Sequence, residues 1–261
     1  MSLNPVARYL VPGAVAGAAA FAFSRVMIAP LVERAVDYEA AREHVAEHGH
    51  AHGMELFTRA VQENLGAATG VIGFSIVMGV LFAVAYQLLQ TVLERGGHRP
   101  DPGALAVLTA AGMCVAVSLV PALKYPANPP GVGLDETTAQ RSSAFLTLLA
   151  VSVAAAVVAV VAGVTWAGRW GAWRAAGVAV GGYLAVTVCT MALLPGFREV
   201  PGPVVDADGT LLLDGFPARV LADFRVYSLL NQAIMWAVIG IVAAALLSRP
   251  RLRLDDLVGA R

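Results

Sequence analysis

The sequence holds a single lysine, Lys124, and only 14% of its 261 residues are charged. Soluble domains of this length carry about 25% charged residues, so a water-facing globule is excluded as the main architecture. The scarcity of lysine also excludes a Walker A nucleotide site, because "LVPALK" around Lys124 lacks the glycines that cradle phosphates. Active transport by this chain would therefore draw on an ion gradient, the membrane potential or another subunit. Only two cysteines occur, Cys114 and Cys189, far apart in apolar runs. They form no CxxC pair and read as buried free thiols. Eighteen basic and eighteen acidic residues cancel, which leaves no global basic field for nucleic acid.

What fills the chain instead is apolar: 58% hydrophobic residues and a mean hydropathy of +0.70. Charge-free runs cover Tyr9–Ser24, Leu65–Leu93, Gly103–Leu123, Ser142–Gly168, Ala175–Phe197 and Val226–Ser248. The last five exceed the ~20 residues that cross roughly 30 Å of hydrocarbon at ~1.5 Å per residue. The first reaches that length if Arg25 snorkels. Ala, Val, Leu and Gly dominate without alternation, which suits helices and not a barrel. The sequence thus predicts an all-α integral membrane protein, one domain with about six spans. These are placed at about 7–29, 65–93, 103–123, 142–168, 175–197 and 226–248. "AGAAAFAFS" in the first span offers small residues for signal cleavage, but only Arg8 precedes it and "APLVERA" reads as a helix leaving a membrane.

Arginine placement sets the orientation. With the N-terminus inside, the inner segments hold nine basic and four acidic residues, the outer ones nine and fourteen. The inner basic residues occupy less than half of the loop length, so their density near helix ends favours N-in, C-in. An outer segment 30–64, an outer loop 198–225 and a cytoplasmic tail 249–261 follow. A multi-pass protein of the cell's inner (plasma) membrane, in contact with the bilayer on all sides, is the corresponding location.

Four of the five histidines fall in "REHVAEHGHAHGME": His44, His48, His50 and His52. The segment from Pro30 reads as helix, is broken by Gly49 and Gly53, and resumes at "MELFTRAVQEN". His44 and His48, four apart, share a helical face. His48, His50 and His52 alternate and share a side of an extended strand. Glu43 and Glu47 stand beside them. Imidazole with carboxylate suits Co(II), Ni(II), Zn(II) or Cu(II), and the motif alone does not choose among them. A solvated His-rich loop is the plainer alternative. "HVAEH" also matches the inverted zinc-protease pattern with Glu47 as base. That chemistry needs a third ligand and a walled cleft, which some forty polar residues do not build. No complete catalytic set exists elsewhere, so an enzyme is not expected.

Inside the spans no carboxylate, histidine or arginine lies away from the ends, which argues against a proton relay. Asn231 and Gln232 in the last span are the best polar candidates along a transport path, with helix–helix hydrogen bonding as the alternative. "PALKYPANPPGVG" closes the third span with prolines that forbid helix. Its Lys124, Tyr125, Pro126 and Asn128 form a stiff corner that anchors the protein at the interface or shapes an entrance. Gly13/Gly17, Gly66/Gly70 and Gly177/Gly181 have the spacing of close helix contacts. Asp208-Gly209 in "VVDADGTLLL" predicts a hairpin turn and not a calcium loop.

"LVPALKYPANPP", the HxHxH segment between spans one and two, and "FPARVLADFRVYSLLNQ" entering the last span resemble the CbtA family of predicted cobalt transporter subunits. The resemblance covers most of the chain, with "VVDADGTLLLDG" as an insertion. It implies cobalt uptake and a small single-span, histidine-bearing partner, CbtB. A homo-oligomer is compatible with it. The expected function is therefore a membrane subunit for uptake of a divalent transition metal, above all cobalt, captured at the outer histidines. The alternative is a non-transporting accessory subunit that binds metal and delivers it to a partner.

Overall fold

The computed structural model describes residues 5–46 and 66–248. They form a helical bundle with six stretches long and apolar enough to cross a membrane: Leu10–Val45, Ala68–Arg95, Pro102–Lys124, Asp135–Trp170, Ala172–Leu193 and Ala218–Leu247. The protein is a multi-pass all-α membrane protein. Helix α1 (Pro5–Phe23) leads through a π-helical segment, Ser24–Ile28, into α2 (Ala29–Ala46). Helix α3 (Ala67–Arg95) precedes α4 (Pro102–Met113), which passes through a second π segment, Cys114–Leu119, into α5 (Val120–Lys124). A 3₁₀ turn at Asp135–Thr137 opens α6 (Thr138–Trp170), followed by α7 (Ala172–Leu193). A two-stranded hairpin, β1 (Val204–Val205) with β2 (Leu211–Leu213), precedes α8 (Ala218–Leu247).

The two π segments share one cause. Ala29 N–H bonds to Ser24 O and Val120 N–H to Val115 O, both five residues back. In each case the next residue, Pro30 or Pro121, has no N–H to continue either register. The helix therefore continues through Pro30, where the sequence suggests a fresh first turn. In the second segment the carbonyl left without its π partner is that of Ala116, five before Pro121. Ser152 Oγ on α6 donates to it at 2.8 Å and lies 3.0 Å from Tyr183 OH on α7. A proline on one helix thus creates the acceptor that ties a helix hairpin to the bundle.

Packing is antiparallel and set by small residues. A Cβ at Gly13 would stand 2.7 Å from Ser75 O, and one at Gly17 would stand 2.9 Å from Ile72 Cα, so α1 touches α3 backbone to backbone. Helix α8 runs beside α4, where a Cβ at Gly240 would lie 2.8 Å from the Cβ of Ala110. Of the three glycine pairs in the sequence, only Gly13/Gly17 meets another helix; Gly66, Gly70, Gly177 and Gly181 have nothing within 4 Å. Helices α6 and α7 pair around Gly171, whose φ of 83° reverses the chain. Asp101 caps α4 by accepting from Ala104 N at 2.8 Å, ahead of Pro102 at the first turn.

Two cores result. The membrane core gathers Phe82, Tyr86, Leu105, Met235, Trp236 and Ile239 from α3, α4 and α8. A second core, at the end bearing the long loops, joins Leu31, Ala35 and Tyr38 of α2 to Val132, Phe216 and Leu221. Tyr38 meets Phe216 edge to face at 5.0 Å. The hairpin expected at Asp208-Gly209 is present: Gly209 has φ 82°, and Asp206 Oδ1 accepts from Asp208 N and Thr210 N at 2.9 and 2.8 Å.

Candidate functional site

Three cavities hold the chemistry, and two of them lie at the loop-bearing end. The first is a cavity of about 590 Å³ between α2, the turn at Gly131–Asp135 and the strand-like run Arg198–Gly202. Glu39 and Glu43 from α2, Asp135 and Glu199 give it four carboxylates against two guanidinium groups, Arg42 and Arg198. Close approach to Gly131 lets α2 lean here: a Cβ on that glycine would be 3.4 Å from Glu39 Cβ. Arg42 fixes the far wall, donating to Gly202 O at 3.3 Å.

Glu199 is the clasp of this cavity. Its Oε2 accepts from Leu134 N at 2.9 Å and Thr137 Oγ1 at 2.8 Å, and Arg141 Nε stands 3.5 Å away. Gly133 N also donates to Glu199 O at 3.2 Å. The Leu134 N–H does most to hold the carboxyl below its ordinary value of 4.5; burial opposes it, and the Thr137 hydroxyl and Arg141 add to the lowering. Arg141, Glu199 and Thr137 carry no sequence signal as a group, because the contacts span some sixty residues.

Glu43 and His44 occupy exposed positions near the end of α2, with Glu43 on the cavity wall. Glu47, His48, His50 and His52 lie outside the described residues. Among the described residues, no three His, Cys, Asp or Glu side chains are grouped to hold a metal ion. Of the predicted set, Glu43 thus lines the acidic cavity and His44 follows it on α2; two residues are too few to form a ligand shell.

The corner residues Lys124, Tyr125, Pro126 and Asn128 do come together, on the wall of a second cavity of about 880 Å³. Tyr125 OH donates to Pro195 O at 2.7 Å, and Asn128 Oδ1 accepts from an Arg225 NH group at 2.8 Å. Burial holds the Tyr125 phenol above its ordinary 10.0, so it remains a donor. The turn Gly131–Gly133 belongs to the acidic cavity and Val132 to this one, so a single strip of chain partitions the two.

Asn231 and Gln232 line the third cavity, about 390 Å³, between α1, α3 and α8; Ala20, Gly70, Val71, Phe74, Ser75 and Met235 complete its wall. Ser75 hydroxyl is turned to Val71 O at 2.8 Å. Gln232 Oε1 accepts from Ser118 Oγ at 3.3 Å, and Ser118 in turn accepts from Trp236 Nε1 at 2.9 Å. Asn231 Oδ1 is buried without a hydrogen-bond partner among the described residues. Gln232 thus follows the structural alternative of tying helices together, while Asn231 presents an unsatisfied oxygen at a cavity. Ser118 and Trp236 were not singled out by sequence, where a serine in an apolar run is commonplace.

Residues 4–248 match the CbtA family, described as a probable cobalt transporter subunit. The match spans nearly the whole chain, and the chain belongs to this family. No curated protein and no solved structure matches it.

Proposed function

With membership of that family as the premise, we propose that this protein takes up a divalent transition metal, cobalt before nickel, zinc or copper, and captures it outside the cytoplasm. The acidic cavity beside α2 carries this reading. Glu39 and Glu43 line it, and the chain leaving α2 just beyond it contains Glu47, His48, His50 and His52. Carboxylates raise the local concentration of a cation. Imidazoles then supply the borderline-soft nitrogen that Co(II) favours over all-oxygen sites. His44, one residue from Glu43, joins the two parts.

The arginine bias supports an outer position for this end, with both termini inside. From the acidic cavity the ion is proposed to pass along α8 to Asn231 and Gln232, with the Lys124–Asn128 corner as the wall beside the entrance. A bare divalent ion is prohibitively costly in hydrocarbon. Asn231 and Gln232 offer neutral oxygens, and their cavity of about 390 Å³ has room for several waters at about 30 Å³ each. The ion therefore crosses partly hydrated, and selectivity belongs to the capture step. The unpartnered Asn231 Oδ1 supports this, since such an oxygen costs about 1–3 kcal/mol unless something uses it.

The family's description as a subunit favours one second reading: an accessory chain that binds metal outside and passes it to a partner such as the small single-span CbtB. Equilibrium dialysis of Co(II) against the purified chain tests what both readings share. Wild type is expected to bind, and the His44→Ala/His48→Ala/His50→Ala/His52→Ala variant to lose at least tenfold in affinity. Equal affinity in the two would remove the capture step.

A further inference from the structure

The second cavity at the loop-bearing end has a charge that a cation route does not explain. Lys124, Arg141 and Arg225 line it, and no aspartate or glutamate does, in a chain whose charges balance overall. Arg225 spends one nitrogen on the neutral Asn128 Oδ1 at 2.8 Å. Among the described residues neither it nor Lys124 has a carboxylate at ion-pair distance. Arg141 does face Glu199, at 3.5 Å and from the side of the acidic cavity, while its NH2 group donates to Leu134 O and Thr138 Oγ1. Arg225 Nε is buried with neither a hydrogen-bond partner nor an ion pair among the described residues, whereas Arg141 Nε has the Glu199 carboxylate. A buried guanidinium donor left unpaired is costly, and the group that best matches its planar fork is a phosphate or carboxylate.

The remaining wall says where that anion comes from. Leu123, Leu146 and Phe145 line the same cavity and stay 69%, 59% and 36% exposed. Lys124 is the last residue of its membrane span, so the cavity sits at the depth of lipid headgroups, with apolar side chains running from it toward the hydrocarbon. We propose that this cavity binds the phosphate of an anionic phospholipid, with Lys124 and Arg225 holding the headgroup and the acyl chain along Leu123, Phe145 and Leu146. The metal ion is kept out by the same two charges. The strip Gly131–Gly133 then separates a cation-attracting cavity from a lipid-holding one.

Because Lys124 is the only lysine, an amine-reactive reagent followed by peptide mass spectrometry reads it separately from the N-terminal amine. Full-length protein is placed in nanodiscs of phosphatidylcholine alone, or with one third phosphatidylglycerol. Labelling of Lys124 is expected to slow at least about fivefold with phosphatidylglycerol, as occupancy of a site predicts, and the Arg225→Gln variant should lose most of that slowing. Equal slowing in Arg225→Gln would show a general effect of membrane surface charge and overturn the site. Slowing by inorganic phosphate added to phosphatidylcholine nanodiscs would overturn the lipid as its occupant. Independently of any variant, native mass spectrometry of the wild-type chain from an equimolar lipid mixture should retain phosphatidylglycerol over phosphatidylcholine. Equal retention of the two would also overturn the proposal.

Discussion

Replacing Gly13 with alanine should push α1 and α3 apart, and the structure sets the size of the effect. The new Cβ would stand 2.7 Å from Ser75 O, 2.9 Å from Ile76 Cα and 3.2 Å from Gly79 Cα. All three are backbone atoms, so no rotamer change relieves the contact. Overpacking costs about 1–3 kcal/mol, and three backbone contacts without rotamer relief put it in the upper part, about 2–3 kcal/mol, partly offset by the ~1 kcal/mol that alanine gains over glycine in a helix. A net loss of about 1–2 kcal/mol corresponds to a five- to thirty-fold shift in the unfolding equilibrium. Gly177→Ala is the matched control, since its Cβ would meet nothing within 4 Å; it should be neutral or stabilising by about 0.4–1 kcal/mol. Detergent-solubilised protein titrated with dodecyl sulfate and followed by circular dichroism gives both values. Equal stability of Gly13→Ala and wild type, or an equal loss in Gly177→Ala, would refute the backbone contact.

Three further outcomes follow from the same geometry. Asn231→Leu should leave the melting temperature unchanged or raised, because it removes an unpartnered buried oxygen, yet lower cobalt accumulation; unchanged accumulation in intact cells would take Asn231 off the path. Ser152→Ala should cost about 0.6–2 kcal/mol by leaving Ala116 O without its donor. Restoring an N–H with Pro121→Ala should shrink that cost in a double-mutant cycle. Glu199 is held below its ordinary 4.5 when folded, so its clasp stabilises the loop fully above that value and fades as pH falls through the lower folded-state value. Protease cutting within 198–217 should rise over that acid window in wild type, and in Glu199→Gln it should already be fast at neutral pH and lack the acid step.

Five of the six spans were legible as long runs without charge and the first only with Arg25 counted at its edge; the Asp208-Gly209 turn was legible because few dipeptides accommodate its left-handed backbone. The glycine pairs were legible only as candidates. Three have the same spacing, and which one meets a neighbouring helix depends on tertiary contacts that spacing does not encode. The π segments have a local cause in Ala29-Pro30 and Val120-Pro121, but their consequence, the bond from Ser152 to Ala116, spans 36 residues. The corner at Lys124–Asn128 was visible as a stiff, polar stop to a helix. Its electrostatic character was not, because Arg141 and Arg225 reach the cavity from α6 and α8. Of the histidine cluster, the described residues contain only His44, which follows the cavity-lining Glu43 on α2.

Cobalt accumulation tests the central claim most directly. Cells lacking their own high-affinity cobalt uptake would express this chain, with its partner if one proves necessary, or the His44→Ala/His48→Ala/His50→Ala/His52→Ala variant at matched levels, and be given radioactive cobalt at limiting concentration. Wild type should accumulate the metal and the variant should fall toward the level of cells without the protein, the gap closing as cobalt is raised to saturation. Accumulation that is equal in the two at every concentration would contradict capture by the outer histidines. Accumulation in neither, with or without the partner, would contradict cobalt uptake itself.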